Sequence, residues 1–338
     1  MLPKSIAGLF APAGARVNRT ASWICRQNAV SAGLRQGGRN LTLVILGRNG
    51  QIGSAASRAL APLGKVVALG RGDADLAQPG AVAQALAAIE PAIVINCAAY
   101  TAVDRAESEP DLADRINHHA VAEIGAWAAG SGATVVHYST DYVFGGHKPG
   151  AYVEADAPAP LNAYGRSKRD GEAALAASGA RHLIFRTSWV HSPIGNNFIR
   201  TMLRLAAERD SLRVVADQYG APTSASLIAD VTAQAVAAIA RDTPPPSGVY
   251  HLAAAGETSW HGLAAYAIAE ARDAGMTLRV APDAILPITA GDYPLPAKRP
   301  LNSRLDTGKL RAALDVTLPD WTHHVRDTVS ALVGEGGR

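Results

Sequence analysis

From Leu41 onward, short aliphatic runs alternate with alanine-rich stretches of helical period, and this alternation limits the folds open to the chain. The runs are almost continuously apolar, which is typical of strands buried on both faces of a parallel sheet. The pattern predicts strands over residues 41–46, 65–69, 92–96, 134–138 and 182–186, with helices near 51–62, 79–89, 110–130 and 163–178. We therefore expect an α/β fold built on a doubly wound parallel sheet.

The rhythm loosens after about Trp189. Further helices are predicted near residues 196–209, 223–240 and 259–274, separated by loops rich in proline, glycine and polar residues. Five prolines between Pro282 and Pro300 mark a long irregular segment, and segments of that kind are often binding loops. We expect a dinucleotide-binding domain over residues 41–188, completed by part of 223–254. Residues 189–222 and 255–330 would form a smaller substrate-binding region.

Composition excludes several classes of protein. The chain has 338 residues and two cysteines, Cys25 and Cys97, which are too few for a disulfide framework and favour the cytoplasm. No apolar run approaches the roughly 18 residues that span a bilayer, so no membrane partner is expected. The small net charge of +3 indicates no nucleic-acid partner.

The first 40 residues differ from the rest. They contain six lysines and arginines and no acidic residue, so the remainder of the chain is mildly acidic. An arginine-rich, acid-free segment resembles a transit peptide, but a mis-assigned start or a disordered arm fits equally well. We interpret residues 1–40 as a basic extension outside the fold, without regular structure.

A glycine-rich turn follows the first predicted strand and opens the first helix. Its glycines are Gly47, Gly50 and Gly53, in the spacing G-x-x-G-x-x-G. Glycines at this place let backbone N–H groups approach a pyrophosphate, whose charge the helix N-terminus favours. The alternative is a plain strand-to-helix turn, but the strand before it and the alternation after it favour a dinucleotide site.

The end of the second strand bears on the choice of cofactor. An NAD-selective site commonly has an acidic residue there, whereas this chain has Gly70, Arg71 and Gly72. Arg71 can pair with the 2′-phosphate of NADP, which favours NADPH and leaves NADH possible. Arg71 could also be a solvated loop residue, and Asp73 or Asp75 could make another cofactor contact.

Tyr164 and Lys168 lie four residues apart on a predicted helix and so share a face. A lysine charge about 4 Å from a phenol contributes roughly 4 kcal/mol at an effective dielectric near 20, enough to bring the tyrosine pKa toward neutrality. The pair can thus act as a general acid. Thr140 follows the fourth strand, at the sheet edge where ligands bind, and would hydrogen-bond the reacting carbonyl. Asn96 ends the third strand and is either a ligand contact or a loop-ordering amide.

The glycine turn, the hydroxyl after strand four and the Tyr-x-x-x-Lys pair, in that order, resemble the extended short-chain dehydrogenase/reductase family. Within it, the resemblance is carried further by segments at 99–107, 137–144, 160–165, 186–190, 195–198, 217–223 and 299–305. It covers about residues 41–330. It implies a Rossmann-type doubly wound parallel sheet with a smaller C-terminal substrate-binding domain. It also implies NAD(P)H-dependent reduction of the C4 ketone of dTDP-4-dehydro-L-rhamnose to dTDP-L-rhamnose, which serves cell-surface polysaccharide synthesis.

The resemblance also implies roles for individual residues. Tyr164 would donate the proton, Lys168 would hold the nicotinamide ribose and depress the tyrosine pKa, and Thr140 would orient the carbonyl. The implied cofactor contacts are Gly50, Gln51, Ile52, Asp75, Leu76, Ala99, Tyr100, Thr101 and Tyr138, together with Tyr164 and Lys168. The reading of the residues themselves adds Gly47, Gly53 and Arg71 as cofactor contacts. The implied substrate contacts are Thr140, Asp141 and Trp189; the alternative for Trp189 is a core aromatic.

Two departures from the family pattern matter. Gly70 replaces the acidic residue after strand two, which weakens the expectation of NADH. Some members bind magnesium at a dimer interface through glutamates, and the matching positions here are Ala55 and Ser226. We therefore expect no metal, and a monomer or weak homodimer. The pairs His118–His119 and His323–His324 are not expected to bind metal, because adjacent histidines on a helix point to different sides.

Two other functions stay open at this stage. One is a reductase or epimerase acting on another nucleotide sugar, since this fold supports many chemistries. The other is a non-catalytic NADP-binding regulatory subunit, against which the intact Tyr164, Lys168 and Thr140 argue.

Overall fold

The computed structural model describes residues 35–36 and 39–336. Its strands are β1 (Arg35–Gln36), β2 (Arg39–Asn40), β3 (Thr42–Leu46), β4 (Lys65–Leu69), β5 (Ile93–Asn96), β6 (Thr134–Thr140), β7 (Arg181–Thr187), β8 (Val190–His191), β9 (Leu212–Val215), β10 (Tyr219–Gly220), β11 (Thr223–Ser224), β12 (Gly248–His251), β13 (Thr258–Ser259) and β14 (Ile285–Ile288). Its helices are α1 (Gln51–Leu60), α2 (Ala81–Ile89), α3 (Val103–Ala106), α4 (Pro110–Asp114), α5 (Ala120–Ser131), α6 (Ala163–Ala177), α7 (Phe198–Glu208), α8 (Ala225–Ala240), α9 (Trp260–Asp273), α10 (Gly308–Leu314) and α11 (Trp321–Gly336).

The central sheet has six strands in the order β12-β7-β6-β5-β3-β4, all parallel. The strand order reverses next to β3, because β4 lies on one side of it and β5 on the other. The predicted parallel α/β fold is thus confirmed. A crevice opens beyond the carboxyl ends of β3 and β5, where the connections that follow the two paired strands leave in opposite directions, and ligands bind at such crevices in open α/β sheets.

Apolar clusters cover both faces of the sheet. Ile45 and Ile95 face the cluster that contains residues of α1 and α8, while Val44 and Val94 face the one that contains residues of α2 and α5. This alternation follows from the two-residue period of a strand. A third cluster joins α7, α9 and α11 with β9 and β14, beyond the carboxyl edge of the sheet.

The predicted helix over residues 110–130 is interrupted. Between α4 and α5 the turn Arg115–His119 is a π-helix, which the sequence pattern did not indicate. Asn117 lies in this turn, and its backbone carbonyl approaches α6 so closely that a Cβ on Gly171 would lie 2.0 Å from it. Tertiary packing, rather than the apolar period, sets the local winding here.

The prediction for residues 1–40 lies largely outside the described residues. Within that segment, β1 and β2 pair as two short antiparallel strands, contrary to the expectation of an arm without regular structure. In the described part of the chain, no helix has the length and apolarity needed to cross a bilayer.

A buried ion pair ties α6 to β7. The Glu172 carboxylate accepts hydrogen bonds from Nε and Nη2 of Arg186 at 2.9 and 2.6 Å. The Arg186 and Glu172 side chains are only 4% and 6% exposed. Because both charges are buried, removing one of them leaves the other without a compensating charge.

We expect Glu172→Ala to lower the free energy of unfolding by about 3–5 kcal/mol, since it leaves a buried guanidinium unpaired. Glu172→Leu combined with Arg186→Met should lose less than this single change, because no charge is then buried. Urea denaturation measures both. The control is Glu208→Ala, which removes an exposed ion pair with Arg204 and should change stability by less than about 1 kcal/mol. Equal losses in Glu172→Ala and this control would contradict the prediction.

Candidate functional site

The glycine turn lies in the crevice between β3 and β5. Gly47 has a φ of +83°, and a Cβ there would lie 2.8 Å from the Ala98 backbone nitrogen. A Cβ on Gly53 would lie 2.1 Å from the Gly47 carbonyl oxygen. Both positions therefore exclude a side chain. Gly50 is the N-cap of α1, and the helix has neither a side-chain cap nor an acidic residue in its first turn. Its N–H groups are thus available to an anion.

Two residues that follow the turn differ in their surroundings. The Gln51 side chain bridges the crevice, since its Oε1 accepts hydrogen bonds from Ser192 Oγ at 2.9 Å and Asn197 Nδ2 at 3.2 Å. Ile52 is half-buried against the cluster beneath α1. Gln51 thus joins the sheet to the segment that leads into α7.

Two arginines lie near the end of β4. Arg71 follows this strand and is exposed, while Arg48 belongs to the glycine turn after β3 and pairs with Asp73 at 3.1 Å. The Asp73 carboxylate also accepts a hydrogen bond from the Gly70 backbone N–H at 2.8 Å. Of the other predicted contacts, Asp75 caps the Ala77 N–H at 3.0 Å and Leu76 is buried. An acidic side chain therefore does stand near β4, but Arg48 neutralises its charge.

The loop after β5 contains Ala99, Tyr100 and Thr101. Asn117 holds its backbone, accepting from the Tyr100 N–H at 2.9 Å and donating to the Tyr100 carbonyl at 3.0 Å. The Tyr100 hydroxyl donates to Glu109 at 2.7 Å. Ala99 is half-buried and Thr101 is exposed, so this loop is open to a ligand.

Thr140, Asp141 and Tyr164 come together at the carboxyl end of β6. Thr140 Oγ1 donates to Asp141 Oδ1 at 2.9 Å and also hydrogen-bonds the Tyr164 phenol. The second oxygen of Asp141, Oδ2, is buried without a hydrogen-bond partner among the described residues. Burial raises the pKa of the Asp141 carboxyl to about 6, although hydrogen bonds from the Ser303 and Thr140 hydroxyls favour its charged form.

The structure corrects the expected electrostatics of the Tyr-x-x-x-Lys pair. Burial raises the pKa of Tyr164 to about 12, with the Asp141 charge adding to the effect and the Thr140 hydroxyl opposing it. The lysine does not lower it, because Lys168 Nζ is turned toward the Tyr138 carbonyl at 2.7 Å and His137 Nε2 at 3.2 Å. Tyr164 is therefore a protonated phenol throughout the neutral range.

The two remaining aromatic candidates are packed against other groups. The Tyr138 hydroxyl lies 2.7 Å from Thr232 Oγ1, in the cluster beneath the sheet. The Trp189 ring stacks on Trp260 with centroids 3.6 Å apart, and its backbone has a φ of +47°. A left-handed conformation is strained for a tryptophan, and such strain is concentrated at functional sites.

Arg299 lies in a segment that carries the family resemblance, but the sequence analysis gave it no role in the site. Its guanidinium pairs with Asp104 at 2.7 Å and also hydrogen-bonds Tyr142, whose ring packs edge-on against Tyr164 at 5.9 Å. Arg299 lines a cavity of about 360 Å³ with Leu161, Val215, Gln218, Ala290, Gly291, Tyr293, Pro294, Leu295, Ala297 and Lys298. The proline-rich segment noted in the sequence therefore forms one wall of a cavity. The sequence analysis gave no role in the site to Asp104, the ion-pair partner of Arg299.

The geometry of the histidine pairs differs from the expectation. His118 and His119 lie in the π-helical turn, where their rings stack with centroids 4.4 Å apart. Both face Asp114, each with a ring nitrogen 3.0 Å from the carboxylate. His323 and His324 likewise share Asp327. These side chains therefore do converge with a carboxylate, and the absence of a resident metal stays a prediction.

Comparison with known proteins identifies relatives over almost the whole described region. The family described as "RmlD substrate binding domain" matches residues 41–333. The dTDP-4-dehydrorhamnose reductase of Escherichia coli K12 is 47% identical over 296 residues, which is 86% of this chain and 98% of that protein. The reductase of the same name from Burkholderia thailandensis is 45% identical over 298 residues, 87% of this chain and all of that protein.

Solved structures show the same similarity. A dTDP-4-dehydrorhamnose reductase from Bacillus anthracis, crystallised with NADP, superposes with a TM-score of 0.77 at 33% identity. The match covers 86% of this chain and 99% of that one. An orthologue from Clostridium acetobutylicum gives 0.79 at 33% identity, with the same coverage.

The buried Asp141 carboxylate predicts a pH-dependent effect on stability. Its pKa rises on folding from 3.8 to about 6, so its penalty is absent well below pH 3.8, grows as pH rises from 3.8 to 6, and is constant above that. We expect Asp141→Asn to be more stable than the native chain by about 3 kcal/mol at pH 8, and equally stable near pH 4. Urea unfolding at pH 4, 6 and 8 tests this. The exposed Asp283→Asn should show no such trend, and a constant difference for Asp141→Asn would contradict the expectation.

Proposed function

The chain belongs to the family of dTDP-4-dehydrorhamnose reductases, and from this premise we propose that it reduces the C4 ketone of dTDP-4-dehydro-L-rhamnose to dTDP-L-rhamnose with NADPH. The observation that carries the proposal is the Tyr164 phenol, hydrogen-bonded to Thr140 beside the cavity that Arg299 lines. A reductase of this kind needs a proton donor at a site that also holds a dinucleotide and a nucleotide sugar.

The residues of the crevice fit a dinucleotide. Gly47 and Gly53 draw the backbone into a turn that a Cβ would fill, and α1 presents N–H groups without a side-chain cap at Gln51 and Ile52. These groups would hold the pyrophosphate. Asp75, Leu76, Ala99, Tyr100 and Thr101 line the two sides on which the adenosine and nicotinamide halves would lie. When bound, the reduced nicotinamide supplies the hydride.

NADPH is favoured over NADH at the end of β4. The exposed Arg71 makes no ion pair with another described residue, and the nearby Asp73 charge is neutralised by Arg48. Two guanidinium groups therefore stand where the ribose phosphate would lie, and both suit bidentate binding of a phosphate. The reductase of Bacillus anthracis was crystallised with NADP, which agrees with this assignment.

Tyr164 donates the proton to the developing alkoxide. With a pKa of about 12, the phenol is fully protonated at neutral pH and loses its proton only to a strongly basic oxygen, as an alkoxide is. Thr140 Oγ1 hydrogen-bonds both Asp141 Oδ1 and the Tyr164 phenol, and so holds the two groups side by side. Lys168 would hold the nicotinamide ribose.

The substrate would enter from the cavity beside Arg299. Lys298 and Arg299 provide positive charge for a diphosphate, and Tyr293 is 56% exposed, with a ring face available to a base. Asp141 Oδ2, buried and unpartnered, would accept a hydrogen bond from a sugar hydroxyl. Trp189 would shape the sugar site from its strained position.

We extend the proposal to the organisation of the protein. Residues 41–188, with β12 from the segment 223–254, form the dinucleotide-binding part, and residues 189–222 and 255–330 form the substrate-binding part. The protein works in the cytoplasm as a monomer or weak homodimer.

The second candidate function is the reduction of another nucleotide sugar, because the cavity that would hold the nucleotide lies apart from the carbon that is reduced.

We expect Tyr164→Phe to lower kcat by about 10²–10⁴-fold, because it removes the proton donor. The measurement is NADPH and NADH oxidation with freshly generated dTDP-4-dehydro-L-rhamnose, with the sugar product identified. Tyr250→Phe, which removes a phenol that bonds the Pro246 carbonyl away from the site, should keep full activity. A folded native protein that binds NADPH and turns over nothing would refute the proposal, and turnover of another sugar only would favour the second candidate.

Arg71→Ala should raise the KM for NADPH about tenfold, the loss expected for one charge-assisted contact, and leave that for NADH unchanged. Arg181→Ala, at the amino end of β7, is the matched control, because it removes an exposed arginine remote from the crevice. If Arg71→Ala weakens both cofactors equally, Arg71 does not contact the 2′-phosphate.

A further inference from the structure

A chain of three buried polar side chains lies beneath the candidate active site. Asn96 on β5 and His137 on β6 are direct cross-strand partners. Asn96 Nδ2 lies 3.1 Å from His137 Nδ1, and His137 Nε2 lies 3.2 Å from Lys168 Nζ on α6. The three residues are 1%, 0% and 2% exposed. Because all three side chains are buried, their polar groups must satisfy one another.

The orientation of the Asn96 amide fixes the proton on the imidazole. The Ala98 backbone N–H donates to Asn96 Oδ1 at 3.2 Å, which assigns the amide NH₂ to His137. His137 Nδ1 must then accept, and a neutral ring carries its proton on Nε2. That N–H points at Lys168. Only a neutral amine has a lone pair to receive it, so this arrangement belongs to uncharged Lys168.

The charged amine requires the opposite arrangement. An ammonium donates to Nε2, so the ring must carry its proton on Nδ1. The Asn96 amide must then turn its oxygen to Nδ1 and give up the bond from Ala98. Protonation balances as the uptake of one proton: Nε2 yields its proton to Lys168 Nζ while Nδ1 receives one. The imidazole stays neutral in both states.

We propose that His137 is the positioning residue for Lys168, switching between its two neutral tautomers as the amine gains or loses its proton, with Asn96 setting which tautomer is favoured. The inference rests on the proposed function, in which Lys168 holds the nicotinamide ribose and stands one turn from Tyr164. His137 itself touches neither ligand nor solvent, and so acts only through the lysine.

The surroundings support such a switch. Burial lowers the pKa of Lys168 to about 8, while the Glu172 charge, held by Arg186, acts in the opposite direction. Burial and the lysine charge hold the pKa of His137 well below its usual range. The titratable groups that face the amine are thus His137 on β6 and Glu172 on its own helix, with Tyr164 one turn before it. The amine changes charge near neutrality, and the ring does not.

The first test reads the tautomer directly. In protein labelled with ¹⁵N-histidine, the His137 signals are identified among the 10 histidines by their loss in His137→Gln. We expect the ring to pass from the Nδ1–H to the Nε2–H form with a midpoint near pH 8, the pKa of Lys168. Lys168→Met should hold it in the Nε2–H form from about pH 6 to 10. A single tautomer in the native protein, or a titration that survives Lys168→Met, overturns the proposal.

The second test uses the pH dependence of turnover. In His137→Gln the carboxamide is free to turn its oxygen to the ammonium, so a limb of the kcat profile near pH 8, where Lys168 changes charge, should move up by about one unit. The KM for the sugar should stay within about twofold. His182→Gln, a buried histidine near the start of β7 that bonds the Ala180 carbonyl, is the matched control and should leave the limb in place. A limb unmoved in His137→Gln overturns the proposal and leaves a purely structural histidine.

The two tests also separate this inference from the proposed function. A tautomer titration in a protein without reductase activity would refute the function while upholding the coupling of His137 to Lys168. Reductase activity in a protein whose His137 keeps a single tautomer would uphold the function and refute the coupling.

Discussion

The rest of the site depends on a close approach of backbone to backbone in the crevice between β3 and β5. Gly47 lies against Ala98 and Gly53 against the Gly47 carbonyl, in each case without room for a Cβ. This contact seats the N-terminus of α1 at the carboxyl edge of the sheet and brings the loop after β5 beside it. Because the strand order reverses here, the two connections leave in opposite directions. A side chain at either glycine would push apart the groups that hold the cofactor.

The polar groups of the site are placed in surroundings that disfavour their charges. Asp141, Lys168 and His137 are each at most 3% exposed. Burial raises the pKa of the acid and lowers those of the two bases, so all three are closer to neutral than they would be in water. Burying these groups lowers the free energy of unfolding, and it provides the site with side chains that can exchange protons near pH 7. The Glu172–Arg186 pair, one turn below Lys168, adds a fixed field that favours the charged lysine.

Much of the fold could be predicted from the sequence, because strands buried on both faces leave continuous apolar runs. Thus β4 begins and ends where the pattern indicated, and β5 and α6 differ by one residue at one end. The π-turn at Arg115–His119 could not, since it depends on the contact between Asn117 and Gly171, residues far apart in the chain. In the site, Thr140, Tyr164 and Lys168 were marked by their spacing. His137 and Asp104 were not, because their partners come from other elements.

The tyrosine pKa shows why residue spacing alone gave the wrong electrostatics. Four residues on a helix place Tyr164 and Lys168 on one face, but the direction of the lysine amine is decided by its acceptors on β6. With Nζ held by His137 and the Tyr138 carbonyl, burial and the Asp141 charge dominate at the phenol. Tyr164 is then a weak acid whose proton is released only when the reacting oxygen becomes strongly basic. Proton transfer therefore follows the build-up of charge on that oxygen.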